Sequence, residues 1–423
     1  MNLLDQRIRQ YADEIEEKMI TWRRDFHQHP ELGNQEVRTG KIVEEHLREI
    51  GVDEVYTGLA GSTGVLGIIH GDHPGPTVVL RCDMDCLPVK EESGLSFAST
   101  TMMEWGTQGQ VPVMHACGHD THTAMLMATA SVLIKCKDQL NGKAALVFQP
   151  AEEGHSDTWE GYSGGEAFVN DPVFLEKVKM DVSFCLHQDP GTLPPVGSCG
   201  KVYTAPGPQS YNMFITRVEI VGKGGHGMTP WVTVDPIVIG MEIVMALQAV
   251  ISRNVNPYEN HATFSIGMFQ GGAKFNVIPD KVVFEGALRF TDISKKDYLW
   301  GRVCDTIHGI AQAGGCTANI SYNWVPSNNN SPELIEKMAP RLRETLGEDR
   351  FVLLDKCNIL DDYSFFQETA PGIMGILSTA PDKAPADGSD VPGLHNAKMT
   401  VNEQGLKEGV KALVSFALKY TDE

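Results

Sequence analysis

Apolar side chains recur near the start of the chain at a spacing of about 3.6. Ile15, Met19, Trp22 and Phe26 line one side of a helix predicted over residues 13–26, which His29-Pro30 ends. Val37, Ile42, Val43, Leu47 and Ile50 predict a second helix over 36–50, stopped by Gly51. The pattern then changes. Residues 64–69, 77–80, 144–148 and 182–186 are short runs, apolar throughout and bounded by turn residues, as strands buried on both faces are. Helical stretches separate several of them, notably 121–134. Strands alternating with helices predict an α/β fold with a mostly parallel sheet.

Beyond about residue 211 the order is different. A strand (211–221), a long helix (235–253), two strands (262–269 and 282–290), a helix (295–312) and a strand (317–324) follow in turn. This β-α-β-β-α-β order is a split unit able to form its own four-stranded sheet. Polar residues 327–331 read as a linker, and the chain then returns to α/β character, ending on an amphipathic helix with Leu406, Val410, Leu413, Phe416 and Ala417. The expected organisation is a discontinuous α/β domain, 1–208 and 325–423, interrupted by a smaller α+β domain, 209–324.

Composition narrows the partners. With 42% hydrophobic and 21% charged residues the chain has ample core-forming material and is not disordered. Its formal charge of −20 repels phosphate backbones and anionic lipid, so neither nucleic acid nor a membrane surface is expected as a partner. The most apolar stretch, 237–251, falls short of the roughly 20 residues a membrane span needs and reads as a buried helix. The N-terminal residues are charged and amphipathic, unlike a signal peptide. With nine scattered Cys, this predicts reduced thiols in the cytoplasm.

Candidate chemistry gathers in a few places. Met114-His115-Ala116-Cys117-Gly118-His119-Asp120-Thr121-His122 holds three His, one Cys and one Asp within eight positions, just before a helix that Asp120 is expected to cap. A C-x-H spacing on such a loop lets Cys117 and His119 converge on one ion, and imidazole with thiolate favours a metal such as zinc. Surface histidines beside a capped helix are the plainer explanation for any one of these residues, but not for their density. Glu152 and Glu153 follow the strand 144–148, where active sites of open α/β sheets lie. Adjacent carboxylates there can divide labour between metal binding and general-base catalysis. Asp83 and Asp85 follow another strand, and one of them is suited to orient a ligand. His187 ends a fourth strand, and His395 lies in a Gly-Leu-His-Asn stretch. Each alone is more often structural. Their arrival on one sheet edge is what points to a site. Gly222–Gly227 formally matches a dinucleotide-binding loop, but the helix begins about eight residues late and no strand-end acid follows. His226 in that loop is the better candidate for a substrate or oxyanion contact.

Taken together these residues resemble the M20 metallopeptidase family, in the amidohydrolase branch that includes aminoacylase-like, hippurate, indole-acetyl-amino-acid and aminobenzoyl-glutamate hydrolases. The similarity runs over nearly the whole chain: Trp22-Arg23-Arg24-Asp25-Phe26-His27, Arg81-Cys82-Asp83-Met84-Asp85, the ACGHD string ending at Asp120, the QPAEEG string from Gln149 to Gly154, the loop to His226, Phe275-Asn276-Val277-Ile278-Pro279 and His395. The resemblance implies a zinc-peptidase-like domain with an inserted ferredoxin-like lid and dimerisation domain. It implies that Cys117, His119, Glu153, His187 and His395 hold two divalent ions, zinc or manganese ahead of cobalt or nickel. It makes Glu152 the general base and Asp85 the carboxylate behind a ligand. His226 would stabilise the oxyanion, often across a dimer, and Asn276 and Arg289 would contact substrate. The implied activity is hydrolysis of N-acyl or N-aroyl amino acids, or of dipeptide-like amides, by a homodimer or larger assembly.

The chain departs from that branch at Cys82 and Cys86, where Ala is usual, at Gly227, where Ala more often follows the His, and at Asn396-Ala397, where Ser-Pro is common. Trp231 beside His226 is placed to shape an aromatic acyl pocket. A thiol amidase using Cys117 or Cys82 with His119 is the competing chemistry. A dipeptidase or carboxypeptidase of the same fold is the competing specificity, and a binding module that kept the fold is the non-enzymatic alternative.

Overall fold

The computed structural model describes residues 2–154, 163–192, 198–381 and 390–421. The chain forms two compact units, Met1–Gln209 with Asn328–Glu423, and Ser210–Ser327. The first is built on an eight-stranded sheet. From one edge its strands are Glu54–Leu59, Gly64–His70, Asn141–Gln149, His73–Asp83, Val182–Asp189, Gly372–Ser378, Val202–Thr204 and Phe351–Leu353. The four central strands run parallel to one another and antiparallel strands flank them. Every residue of Val182–Asp189 and Gly372–Ser378 is buried, because helices cover both faces.

Helix His119–Lys135 is buried almost throughout, between the N-terminal helix Leu3–Gln28 and the C-terminal helix Leu406–Tyr420. A helix apolar all round has no solvent face, and here Ala124 to Ala128, Ala130, Val132 and Leu133 all enter the core. The N-terminal helix begins ten residues before the predicted start, because Asn2 caps it by accepting the Asp5 N–H at 2.8 Å.

The second unit has the predicted β-α-β-β-α-β order. Its antiparallel sheet runs Ala262–Gln270, Lys281–Phe290, Asn212–Val221, Thr317–Val325, with helices Pro236–Asn254 and Lys296–Ala313. Helix Pro236–Asn254 differs from the expectation of a buried helix. Ile243, Leu247 and Val250 pack on the sheet, but Val238, Met241 and Met245 are exposed, since the sheet offers it only one side to lie on. It is also the one helix among the described residues long and apolar enough to cross a bilayer by length and composition.

The polar stretch 327–331 is likewise not an exposed linker. Asn328 and Asn330 are fully buried, and Asn329–Asn330 pairs with Gly207–Pro208. The Asn330 amide accepts the Met374 N–H at 2.7 Å and donates to the Ala205 carbonyl at 2.9 Å, so its polarity is spent on buried backbone.

Candidate active site

The central parallel strands end side by side, and the loops that leave them carry the reactive groups. Cys117 precedes Gly118, whose φ of 87° turns the chain into helix His119–Lys135. A Cβ at Gly118 would lie 2.3 Å from the Gln188 amide nitrogen, so only glycine fits. Gly118, not Asp120, is the N-cap. Asp120 lies in the first turn and is fully buried against Arg23 Nε at 2.8 Å and His27 Nδ1 at 2.9 Å. It was suited to a cap by residue type, but a buried cation took it instead.

Around Cys117 the five expected ligands meet. Single donor atoms of Cys117, His119 and His187 lie within 4.8 Å of one another, and so do those of Cys117, Glu153 and His395, so two triads share one sulfur. The Cys117 sulfur is 3.4 Å from His187 Nε2, and Glu153 Oε1 is 2.9 Å from His395 Nε2. His187 donates from Nδ1 to the Gln188 carbonyl at 2.6 Å, and His119 bonds Asp85 through Nδ1 at 3.1 Å. In both rings this turns Nε2 to the cluster. His119 Nε2 is buried and has no hydrogen-bond partner. A buried nitrogen of that kind beside a thiol and carboxylates is what a metal ligand looks like without its ion.

Asp85 also accepts the Glu153 N–H at 2.9 Å, so one fully buried carboxylate fixes both a ring and a backbone turn. That turn is strained. Ala151 has φ of 50°, and its N–H is held by the buried Glu36 at 2.8 Å. Glu152 follows, its carboxylate 3.9 Å from His119 Nε2.

Further groups hold the cluster in ways the sequence did not specify. Asp83 accepts from His122 Nδ1 at 2.6 Å, and His122 Nε2 accepts the Gln188 N–H at 2.8 Å, which sets the backbone beside His187. Gln188 then donates to the Cys117 carbonyl at 2.9 Å. Asp361 and Asp362 bring carboxylate oxygens within 4.8 Å of Glu152. Both pair with the fully buried Arg81, at 3.2 and 2.7 Å, and Arg81 also binds Asp83 at 2.8 Å. His122 had one signal, its i+3 spacing from His119. Asp361 and Asp362 had none, since nothing local ties them to Arg81.

The electrostatics follow from this crowding. Burial and the Asp361, Glu153 and Asp362 carboxylates push Glu152 well above the ordinary glutamate range. Burial, Glu153 and Glu152 push the Cys117 thiol up in the same way. Burial opposes charge on His119, but Asp83 and Asp85 outweigh it and hold the ring up at about 10. Asp83, Asp85, Glu152, Glu153, Asp361 and Asp362 thus crowd into one region with Arg81. That excess of negative charge, with soft and borderline donors at its centre, fits divalent cations.

In the second unit, Gly225–His226 and Val277–Ile278 form a two-stranded ribbon. The Gly227 N–H reaches the Asn276 carbonyl at 2.9 Å, so His226 and Asn276 come together. His226 Nδ1 accepts the Met228 N–H at 3.1 Å, which leaves the proton on Nε2 as an exposed donor. Arg289 is not on this ribbon. It lies on strand Lys281–Phe290, opposite Met213 and Thr263. Phe275, Trp231 and Met228 are strongly exposed around the ribbon.

A mainly parallel sheet whose strand ends gather such donors beside a carboxylate defines a metallohydrolase. Residues 79–419 match the pattern of Peptidase family M20/M25/M40. Thermostable carboxypeptidase 1 of Saccharolobus solfataricus is 35% identical over 99% of this chain and 100% of its own length. Hippurate hydrolase of Campylobacter jejuni is 32% identical over 94% and 95%. The crystal structure of a Bacillus subtilis dinuclear metal-binding peptidase from the M20 family superposes with a TM-score of 0.71 at 26% identity, covering 97% and 99%. The chain belongs to this peptidase family, and it is a metal-dependent hydrolase of amide bonds.

Proposed function

We propose that the protein hydrolyses N-acyl or N-aroyl amino acids, with Glu152 as general base. The observation that carries this is the pair of donor triads sharing Cys117 beside Glu152. Cys117, His119 and His187 would hold one divalent ion and Cys117, Glu153 and His395 the other, zinc or manganese by donor type. Such ions polarise a carbonyl and make water acidic enough to lose a proton near neutral pH. Glu152 would take a proton from the attacking water and return it to the leaving amine. The carboxylate cluster that raises its proton affinity suits it to both halves of the transfer. Asp85 keeps the His119 ring and the Glu153 turn in register. His226, with its proton on Nε2, is suited to donate to the oxyanion, Asn276 beside it to contact the substrate, and Arg289 to meet the substrate carboxylate. The inserted unit is then a lid and dimerisation domain. A thiol ligand needs reducing conditions, in keeping with a cytoplasmic homodimer.

Likeness to the hippurate hydrolase favours acyl amino acids as substrates, and likeness to the carboxypeptidase favours peptides. A thiol amidase is less well supported. Cys117 does have an imidazole neighbour, but Glu152 and Glu153 beside it oppose the thiolate that such an enzyme needs.

Glu152→Gln should cut kcat by about 10²–10⁴ and leave metal content unchanged. Chelation should abolish activity, and Zn²⁺ or Mn²⁺ should restore it. Wild-type turnover by the Gln variant would remove Glu152 from the mechanism. Full activity after complete chelation, lost on thiol alkylation, would establish the thiol route.

A further inference from the structure

The catalytic cavity has an apolar wall that the hydrolytic chemistry does not use. The cavity encloses about 320 Å³, and besides the reactive residues it is lined by Asn358, Ile359, Leu360 and Leu394. Leu360 is aliphatic yet 48% exposed, while Ile359 is buried. Leu394, next to His395, packs partly on Met114, Ala116 and Met399.

The segment carrying Ile359 and Leu360 has no regular secondary structure, but it is tied down at both ends. The Cys357 N–H bonds the Gln209 side chain at 2.9 Å, and the Asp361 N–H bonds Asn328 at 2.8 Å. Asp362 accepts from Arg81, from Gln149 at 2.9 Å and from the Gly165 N–H at 2.7 Å. Between these anchors Asn358 is held at φ of 52°, a left-handed conformation that costs a non-glycine residue and persists only where its surroundings impose it. The stretch 358–360 of the wall is therefore held in place.

The geometry points to this wall as a specificity subsite for the side chain on the amine side of the scissile bond, selecting an uncharged aliphatic amino acid. The inference rests on the amidohydrolase reading. Glu152 must reach the leaving nitrogen to protonate it, so the substituent on that nitrogen lies on the Glu152 side of the cavity. Leu360 runs directly into Asp361 and Asp362, whose oxygens lie within 4.8 Å of those of Glu152. The volume of the whole cavity is at the lower end of the roughly 300–1,000 Å³ of small-molecule sites, which suits a small amide. No Lys or Arg is among the described residues that line it, so an acidic side chain laid against Ile359 and Leu360 would lose hydration without meeting a cationic side chain.

The test uses the metal-loaded, full-length enzyme with two substrate series. N-acetyl-leucine should be cleaved about ten- to hundredfold more efficiently in kcat/KM than N-acetyl-glycine or N-acetyl-glutamate, the range expected when an apolar pocket is filled or left empty. Leu394→Ala and Leu360→Lys should each reduce that preference about tenfold, chiefly through KM, with metal content as in the wild type. Free leucine should bind the wild type more tightly than glycine in calorimetry, and the variants should lose the difference. Equal cleavage of the leucine and glycine substrates by the wild type, or an unchanged ratio in both variants, would overturn the subsite. So would variants that respond to acyl length at fixed glycine but not to the amino acid. Failure of the loaded wild type to cleave any N-acyl amino acid would instead overturn the activity reading, and the subsite with it.

Discussion

The two sheets of this protein treat polar side chains in opposite ways. In the eight-stranded sheet the central strands are covered on both faces. Val182–Asp189 is buried at every position, including His187, Gln188 and Asp189. In the four-stranded sheet Asn212–Val221 alternates between buried and half-buried positions from Phe214 onward, as one-sided cover demands. Ionisable groups at the strand ends of the first sheet have no water to turn to, so they hold one another. Those of the second, such as Lys281 and Glu219 at 2.6 Å, pair at the surface. The same residue types therefore form a fixed reactive cluster in one unit and a solvated face in the other.

The sharpest way to break this contrast is to remove Arg81. Arg81→Met leaves Asp83, Asp361 and Asp362 buried without their cation. It should lower the stability of the unit it belongs to by about 3–5 kcal/mol in denaturant unfolding. A loss below about 1 kcal/mol would mean that these carboxylates do not depend on Arg81.

His46 gives a pH-dependent test. Its ring is 4% exposed, lies against Trp22, and bonds the Met127 carbonyl at 3.1 Å. Burial, only partly offset by that carbonyl, lowers it from 6.5 to about 4. Between those values the unfolded chain binds a proton that the folded protein does not. Stability from this group is thus complete above pH 6.5 and is lost as the pH falls towards 4, by on the order of 3 kcal/mol. Urea midpoints of wild type and His46→Gln should converge as the pH falls through that window. Parallel curves would show that His46 keeps its ordinary proton affinity.

A smaller effect is expected at His122, which hydrogen-bonds Asp83 and Gln188 and packs its ring on His119 and His187. His122→Leu should weaken zinc binding about 10–100-fold in a chelator competition, and His122→Gln should recover part of the loss. Unchanged affinity in the Leu variant would make His122 a packing residue only. The contrast predicts the least for the surface pair of the second unit. Glu219→Gln should change stability by less than about 1 kcal/mol, and less still at high salt. A larger, salt-independent loss would show that this face is not solvated as its exposure indicates.

Much of the fold was legible because each element carries its own signal. The all-apolar runs 64–69, 144–148 and 182–186 correspond to strands buried on both sides, and the β-α-β-β-α-β order is present as read. Short strands with weak patterns, such as Val202–Thr204 and Phe351–Leu353, were not legible, since their stability comes from neighbours rather than from local preference. At the site, density marked Cys117 and His119, and strand ends marked Glu152, Glu153, His187 and the pair Asp83 and Asp85.

By itself, then, the sequence determined the class of chemistry, because thiol, imidazole and paired carboxylates at strand ends are expensive to bury for any other reason. It also determined the α/β class with an inserted β-α-β-β-α-β unit, through the order of its elements. Only the tertiary structure decided which groups hold which. Arg81 meets Asp361 and Asp362 across some 280 residues, Asp120 leaves its expected cap for Arg23 and His27, and Cys117 comes to belong to two triads at once. Those choices are made by burial, which leaves each charge only the partners that the packed chain brings within reach, and burial is a property of the whole fold rather than of any segment.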